Sequence, residues 1–270
     1  MAIKLYRFQP VCVPGDDRLS SLKKNEVWFS DPARFNDPFD LRPNIRDLVP
    51  DHWCNNEEFT LARRKALASL LSDGNAYQGA LFIDSALMGN FQVWASDEAD
   101  DELDWDHRLR AAIDARIAQF GVVCLTPRLD NLLMWAHYAN NGQGFCIEYE
   151  VDWGHQTPDI RYVPVQYSSS VPELCFSEAM FTPHQFLQRV MASKHSDWAY
   201  EQEVRLVCLN RKGESMALNP SFVRMTKLIA GYAMPEPLQE HLKQTASQLE
   251  VEAWRMKTSQ WGGMREERIS

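Results

Sequence analysis

The segment Trp198-Ala199-Tyr200-Glu201-Gln202-Glu203-Val204-Arg205 sets two carboxylates two residues apart at the head of an apolar run. On an extended backbone Glu201 and Glu203 point the same way and can face one cleft. There one carboxylate could stabilise developing positive charge and the other could act as a base. A second cluster, Asn131 to Tyr138 followed by Gly142-Gln143-Gly144, places the His137 imidazole and the Tyr138 phenol beside Trp135. Near the start, Arg7 stands in Leu5-Tyr6-Arg7-Phe8, and Trp28-Phe29-Ser30 leads into Asn36-Asp37-Pro38-Phe39-Asp40. A guanidinium fork suits phosphate oxygens, and the rings of Trp28, Phe29 and Tyr138 can stack on a flat heterocycle. Each cluster also admits a plain structural reading. Arg7 can face solvent, the Asn-Asp-Pro loop can be a rigid turn, His137 can be a hydrogen-bonded structural residue, and Glu203 can pair with Arg205.

These residues need elements to position them. Ile3–Phe8 and Glu26–Phe29 read as strands, with a short helix over Ser20–Lys24 between them. Helical spacing such as Phe59, Ala62, Ala66, Leu67 and Leu70 dominates from about 57 to 120. Val122–Leu125, Gly144–Tyr149, Ile160–Tyr167 and Glu203–Leu209 then read as strands, and Asp130–Tyr138 as a short helix capped near Asp130. Phe186–Met191 and Leu238–Leu249 read as helices, the latter flanked by strands at Lys227–Ala230 and Val251–Met256. Strands, then helices, then a strand-rich second half predict an α+β fold with a mixed, mostly antiparallel sheet, forming one domain over 1–270 with a helical insertion at about 57–120. No GxGxxG follows a strand, which excludes a dinucleotide-binding Rossmann unit.

Composition narrows the classes. Hydrophobic residues make up 45% of the 270 and charged residues 24%, which is globular rather than disordered. No apolar run is long enough for a membrane helix and no secretory signal is evident, so no membrane partner and a cytoplasmic location are expected. The six cysteines form no CxxC pair, which predicts reduced thiols and no zinc site. A net charge of −9 disfavours non-specific nucleic-acid binding. Much of the acidity lies in the run Asp97 to Asp106, best read as a solvated helix start.

The ordered set LYRF, WFS with FNDPFD, MWxHY continuing to Gly144-Phe145-Cys146, Lys194 with WxYExExR, and Ile229-Ala230-Gly231 resembles a bacterial domain-of-unknown-function family grouped with the ADP-ribosyltransferase superfamily. The resemblance implies an ADP-ribosyltransferase-like split sheet and an enzyme that cleaves the nicotinamide–ribose bond of NAD, its co-substrate. It implies that ADP-ribose passes to an acceptor that is protein, nucleic acid or water, in a toxin or phage-defence setting. Arg7, with Tyr6 beside it, would hold the dinucleotide; Trp28, Phe29 and Ser30 would shape the nicotinamide pocket; Asn36 and Tyr138 would complete the cofactor site. Glu203, Glu201 and His137 would be the catalytic residues. Cleavage of that bond builds oxocarbenium-like charge on the ribose, which Glu203 would stabilise. Glu201 would orient or activate the acceptor, and His137 would hydrogen-bond a ribose hydroxyl. The WFS segment departs from the superfamily's run of small hydroxyl residues, and His137-Tyr138 has no counterpart in its better-known members. Two other classes fit the same residues: a non-enzymatic module that binds NAD or ADP-ribose, and an interaction protein that docks a partner through the 57–120 region.

Overall fold

The computed structural model describes residues 2–13, 16–42, 44–46, 117–155, 157, 159–170, 173–175, 183–259 and 262–269. The expected helical stretch lies almost wholly outside them, as does the acidic run. In chain order the strands are β1 (Ala2–Gln9), β2 (Cys12–Val13), β3 (Asp16–Asp17), β4 (Glu26–Phe29), β5 (Asn44–Arg46), β6 (Phe120–Leu125), β7 (Phe145–Asp152) and β8 (Ile160–Pro164). They continue with β9 (Gln166–Ser168), β10 (Glu173–Cys175), β11 (Ser193–His195), β12 (Val204–Leu209), β13 (Glu214–Ala217), β14 (Val223–Ala230), β15 (Glu252–Thr258) and β16 (Met264–Arg268). Helices are few among the described residues: α1 (Leu132–Tyr138), α2 (Pro183–Ala192) and α3 (Glu236–Gln248). The fold is mixed α+β with mostly antiparallel sheets. No helix among the described residues is long and apolar enough to cross a membrane.

The chain divides into two compact units, one formed by Met1–Ser30, Gly121–Val165 and Asp197–Ser270 and the other by Asp31–Phe120 and Gln166–Ser196. The first holds a five-stranded sheet in the order β1-β7-β14-β15-β16 and a three-stranded sheet in the order β6-β12-β8. β7 runs antiparallel to both of its neighbours, β1 and β14. β14 and β15 are parallel, joined through α3, as a parallel pair requires a crossover.

Both faces of β1 are covered, so Leu5, Tyr6, Arg7 and Phe8 are all buried, a continuous run rather than an alternation. Leu5 belongs to the main core with Ile147, Tyr149 and Leu228, against Val123 and Leu125 of β6, Leu206 of β12, and Leu242 and Ala246 of α3. Each fully buried ring in that core, such as Phe29 or Phe145, contributes about 1.5–3 kcal/mol. Tyr6 and Phe8 point the other way, into a smaller cluster with Cys146, Ile229, Met256 and the α1 residues Met134 and Trp135. Phe8 and Trp135 meet edge to face at 4.8 Å, and Trp135 Nε1 donates to the Leu129 carbonyl at 2.8 Å.

Two expected elements differ. Ser20–Lys24 is a turn, because Asp17 Oδ1 accepts from the backbone N–H of Leu19 and Ser20 and so offers the chain an alternative to a helix. Ile160–Tyr167 is broken at Val165, because the residues before it pair with β12 and those after it with β11.

The second unit pairs β10 with β5 and β11 with β9, both parallel. Within it Lys194 and Asp40 form a buried ion pair at 3.5 Å. The Asp37 carboxylate caps the turn beside Asn36, accepting from the Phe39 N–H at 2.8 Å.

Candidate functional site

Strand β6 is the piece around which the candidate residues gather in the first unit. Its apolar run, Phe120-Gly121-Val122-Val123-Cys124-Leu125, is almost entirely buried. Ser30 and Val122 exchange both backbone hydrogen bonds, as do Tyr6 and Thr126. The first strand and the end of β4 therefore dock on opposite ends of β6. Gly121 explains how close the layers lie: a Cβ there would sit 2.5 Å from the Arg211 carbonyl oxygen and 2.6 Å from Phe29 Cβ. Arg211 follows β12, so the start of β6 lies beside the end of β12. Asn131, beyond the other end of β6, donates from Nδ2 to the Tyr200 carbonyl at 2.5 Å. β6 and β12 thus run antiparallel, and the head of β12 lies near the Thr126 end of β6, where Tyr6 bridges.

Arg7 points to the main-core side of β1, opposite to Tyr6. Its guanidinium donates from Nη1 to the Trp28 carbonyl at 2.7 Å and from Nη2 to Ser30 Oγ at 3.2 Å. These bonds use two of the five N–H donors of a guanidinium. The residue is 8% exposed, and among the described residues no carboxylate lies within ion-pair distance of it. Burial pulls its pKa below the ordinary arginine value; the Tyr149 and Cys124 side chains oppose that, and the charge of Arg18 adds to it. Burial in turn pushes the Tyr149 phenol up to about 12. Arg18 donates from Nη1 to Gln9 Oε1 at 2.5 Å.

The aromatic residues of β4 split between two roles. Val27 and Phe29 are buried in the main core, whereas Trp28 is 48% exposed. Phe29 leaves no exposed ring surface on which a ligand could stack. The cause is strand alternation, which turns Trp28 outward and Phe29 inward.

Helix α1 presents the imidazole. Asn131 caps it, accepting from the Leu133 N–H at 3.0 Å, while Met134 and Trp135 fix its buried side. His137 is exposed, and its Nδ1 lies 2.7 Å from the Tyr200 hydroxyl, the two rings meeting edge to face at 5.7 Å. Tyr138 donates to Glu201 Oε1 at 2.5 Å. Trp198 lies 6.1 Å from Tyr200, so a row of rings borders the buried Glu201 carboxylate.

The two carboxylates do not share an extended backbone. Glu201 ends a 3-10 turn over Ser196–Glu201, Gln202 takes a left-handed φ of 47°, and β12 starts only at Val204. Glu203 is instead held by Arg205, Nε to Oε1 at 2.8 Å and Nη2 to Oε2 at 3.1 Å, with Arg205 wholly buried. Val204, Leu206 and Cys208 belong to the main core, so alternation turns Arg205, and Glu203 with it, to the other face of β12.

Tyr6 belongs to a different network. Its hydroxyl donates to Glu148 Oε2 at 3.1 Å, and Thr226 donates to Glu148 Oε1 at 2.8 Å. Lys227 and Lys4 lie 3.4 and 3.3 Å from the same carboxylate. Burial alone would raise the Glu148 pKa, but the Thr226 hydrogen bond and the two lysines outweigh it and hold it below the usual carboxylate value. Burial and the Glu148 charge push the Tyr6 phenol upward. Lys227 also lies 4.4 Å above the Trp254 ring. Sequence reasoning missed Glu148, although a carboxylate inside the apolar run of β7 was a visible signal. It also missed Arg18, for which the sequence holds no signal, and it gave Tyr200 no role. Asn36 lies in the second unit.

A family model described as a protein of unknown function, DUF2971, matches residues 134–206. The match runs from Met134 of α1 to Leu206 of β12. It includes His137, Tyr138, Tyr200, Glu201 and Glu203, and excludes Arg7, Trp28 and Ser30. No curated protein and no solved structure matches the chain.

Proposed function

We propose that the first unit binds NAD and transfers its ADP-ribose, in an ADP-ribosyltransferase-like split sheet. The observation that carries this reading is the buried Arg7 guanidinium with a carbonyl and a hydroxyl as hydrogen-bond partners and no carboxylate among the described residues. A buried charge is costly unless it is compensated, and structural arginines in such places are paired. The diphosphate of a dinucleotide supplies the missing negative charge in a geometry that suits the guanidinium fork. Exposed Trp28, whose carbonyl receives Arg7, offers a ring beside that position. From there the nicotinamide end of the ligand would pass the Thr126 end of β6 to reach the head of β12. Glu203, paired with Arg205, would stabilise the charge that builds on the ribose. Glu201 and His137 would orient the acceptor, whose class (protein, nucleic acid or water) stays open.

The test is release of nicotinamide from NAD by wild type and by Glu203→Gln, with protein, nucleic acid and water offered as acceptors. Release by wild type and its loss in the variant support the reading; no release with any acceptor refutes it. One observation favours a second reading, an NAD- or ADP-ribose-binding module without turnover: both Glu203 oxygens are engaged by Arg205. Saturable ADP-ribose binding by calorimetry, with no product from NAD, is its signature.

A further inference from the structure

We infer that Tyr200 is the positioning residue of the His137 imidazole: its hydroxyl holds Nδ1, so that Nε2 is the ring nitrogen offered to the acceptor. The assignment rests on the transfer reading for what an acceptor is, whereas the hydrogen bond can be tested without any turnover. His137 and Tyr138 stand side by side at the end of α1, and their partners Tyr200 and Glu201 stand side by side at the end of the turn Ser196–Glu201. Tyr200 Oη lies 2.7 Å from His137 Nδ1, and the Tyr138 hydroxyl donates to Glu201 Oε1. At the start of α1, Asn131 Nδ2 donates to the Tyr200 carbonyl at 2.5 Å. Helix and turn are therefore tied at both ends of the helix, which brings imidazole and phenol together in one register.

Tyr200 is the fixed member of the pair. Its ring packs against the smaller core cluster and lies 6.1 Å from Trp198, whereas His137 is exposed. Without the hydroxyl an exposed imidazole turns about its side-chain torsions and presents either nitrogen. With Nδ1 held, Nε2 is left, and among the described residues it has no hydrogen-bond partner. A phenol is a stronger acid than the N–H of a neutral imidazole, so the shared proton stays on oxygen. Tyr200 then donates to Nδ1, and Nε2 keeps its N–H. Held in this way, His137 orients an acceptor by donating to it. Folding alone gains little from the bond, because water would satisfy both groups at an exposed position.

The histidine ring nitrogens of the full chain are observed by 15N magnetic resonance at alkaline pH, where imidazole is neutral. Wild type, Tyr200→Phe and Tyr138→Phe are compared, and His137→Gln assigns the resonances. Wild type is expected to carry the proton on Nε2 and to show Nδ1 displaced by a hydrogen bond. Tyr200→Phe keeps the ring and is expected to return Nδ1 to the position of a free imidazole. Tyr138→Phe removes the neighbouring hydroxyl and is expected to leave Nδ1 where it is. A wild-type proton on Nδ1 overturns the inference, as does an Nδ1 resonance that Tyr200→Phe leaves unmoved or that Tyr138→Phe moves as far. In the nicotinamide assay Tyr200→Phe is expected to lower kcat about five- to tenfold, the loss of one hydrogen bond, with KM for NAD unchanged. An unchanged kcat in a protein that releases nicotinamide also overturns the inference. If Nδ1 responds to Tyr200→Phe and wild type releases no nicotinamide, the hold of Tyr200 on His137 stands and the transfer reading fails. If wild type releases nicotinamide and Nδ1 does not respond, the transfer reading stands and the Tyr200 assignment fails.

Discussion

Replacing Glu203 with alanine unfolds part of what it is meant to test. Arg205 is wholly buried and Glu203 is 4% exposed, and two charge-assisted hydrogen bonds at 2.8 and 3.1 Å join them. Removing one partner of such a pair takes from the other the counter-charge it was buried with, which costs about 3–5 kcal/mol. At the lower figure the thermal midpoint falls by roughly 6–12 °C for a chain of this size. Glu203→Gln keeps the volume and one acceptor, so it costs less, about 1–2 kcal/mol. A double variant, Glu203→Leu with Arg205→Met, recovers much of the alanine loss, because the desolvated charges leave together. Urea and thermal unfolding followed by tryptophan fluorescence on all four proteins give the comparison. A Glu203→Ala protein within about 1 kcal/mol of wild type would refute the reasoning, since it would mean the guanidinium does not depend on this carboxylate. The same arithmetic makes Glu203→Gln the proper variant for the nicotinamide assay, where loss of activity must be separable from loss of fold.

Other consequences follow from the same structure. Glu148 has a folded pKa below its ordinary 4.5, so its contribution is complete above that value and is lost as the pH falls through the folded pKa. Glu148→Gln is therefore expected to cost about 1–3 kcal/mol at neutral pH, and its urea midpoint to converge on wild type below pH 4.5; a gap that is constant with pH contradicts this. Phe29→Ala empties the main core and is expected to cost about 3–5 kcal/mol, whereas Trp28→Ala, on the exposed side of β4, changes the urea midpoint little. ADP-ribose calorimetry on the Trp28 variant then reads its ring without a stability artefact, and unchanged affinity removes Trp28 from the proposed site. Gly121→Ala drives a methyl into the Arg211 carbonyl and Phe29, for an expected loss of about 1–3 kcal/mol; wild-type stability in that variant would show that the layers can part.

Much of the secondary structure was legible because its signals are local. Apolar runs with turn residues at their ends marked β1, β4, β6, β7 and β12, and the polar cap before an apolar stretch marked α1. The short strands β13 and β16 were not legible, since Glu214-Ser215-Met216-Ala217 and Met264–Arg268 are polar, exposed or half-buried segments made into strands by their partners β4 and β15. The break at Val165 escaped notice for the same reason: the residues on either side pair with different strands, and no property of the valine announces it.

By itself the sequence determined which residues are chemically unusual: Arg7, Ser30, His137, Tyr138, Glu201 and Glu203 stand out as polar groups set among aromatic and aliphatic neighbours. Only the tertiary structure decided what each one touches. It placed Tyr6 with Glu148 and Arg7 with Ser30 on opposite faces of one strand. It gave Glu203 to Arg205 and Glu201 to Tyr138 through a single left-handed residue, Gln202, and brought Arg18 onto Gln9. The physical reason is that residue type sets the free-energy cost of burying a group, whereas the partner that offsets that cost comes from whichever distant strand or turn the packing lays beside it.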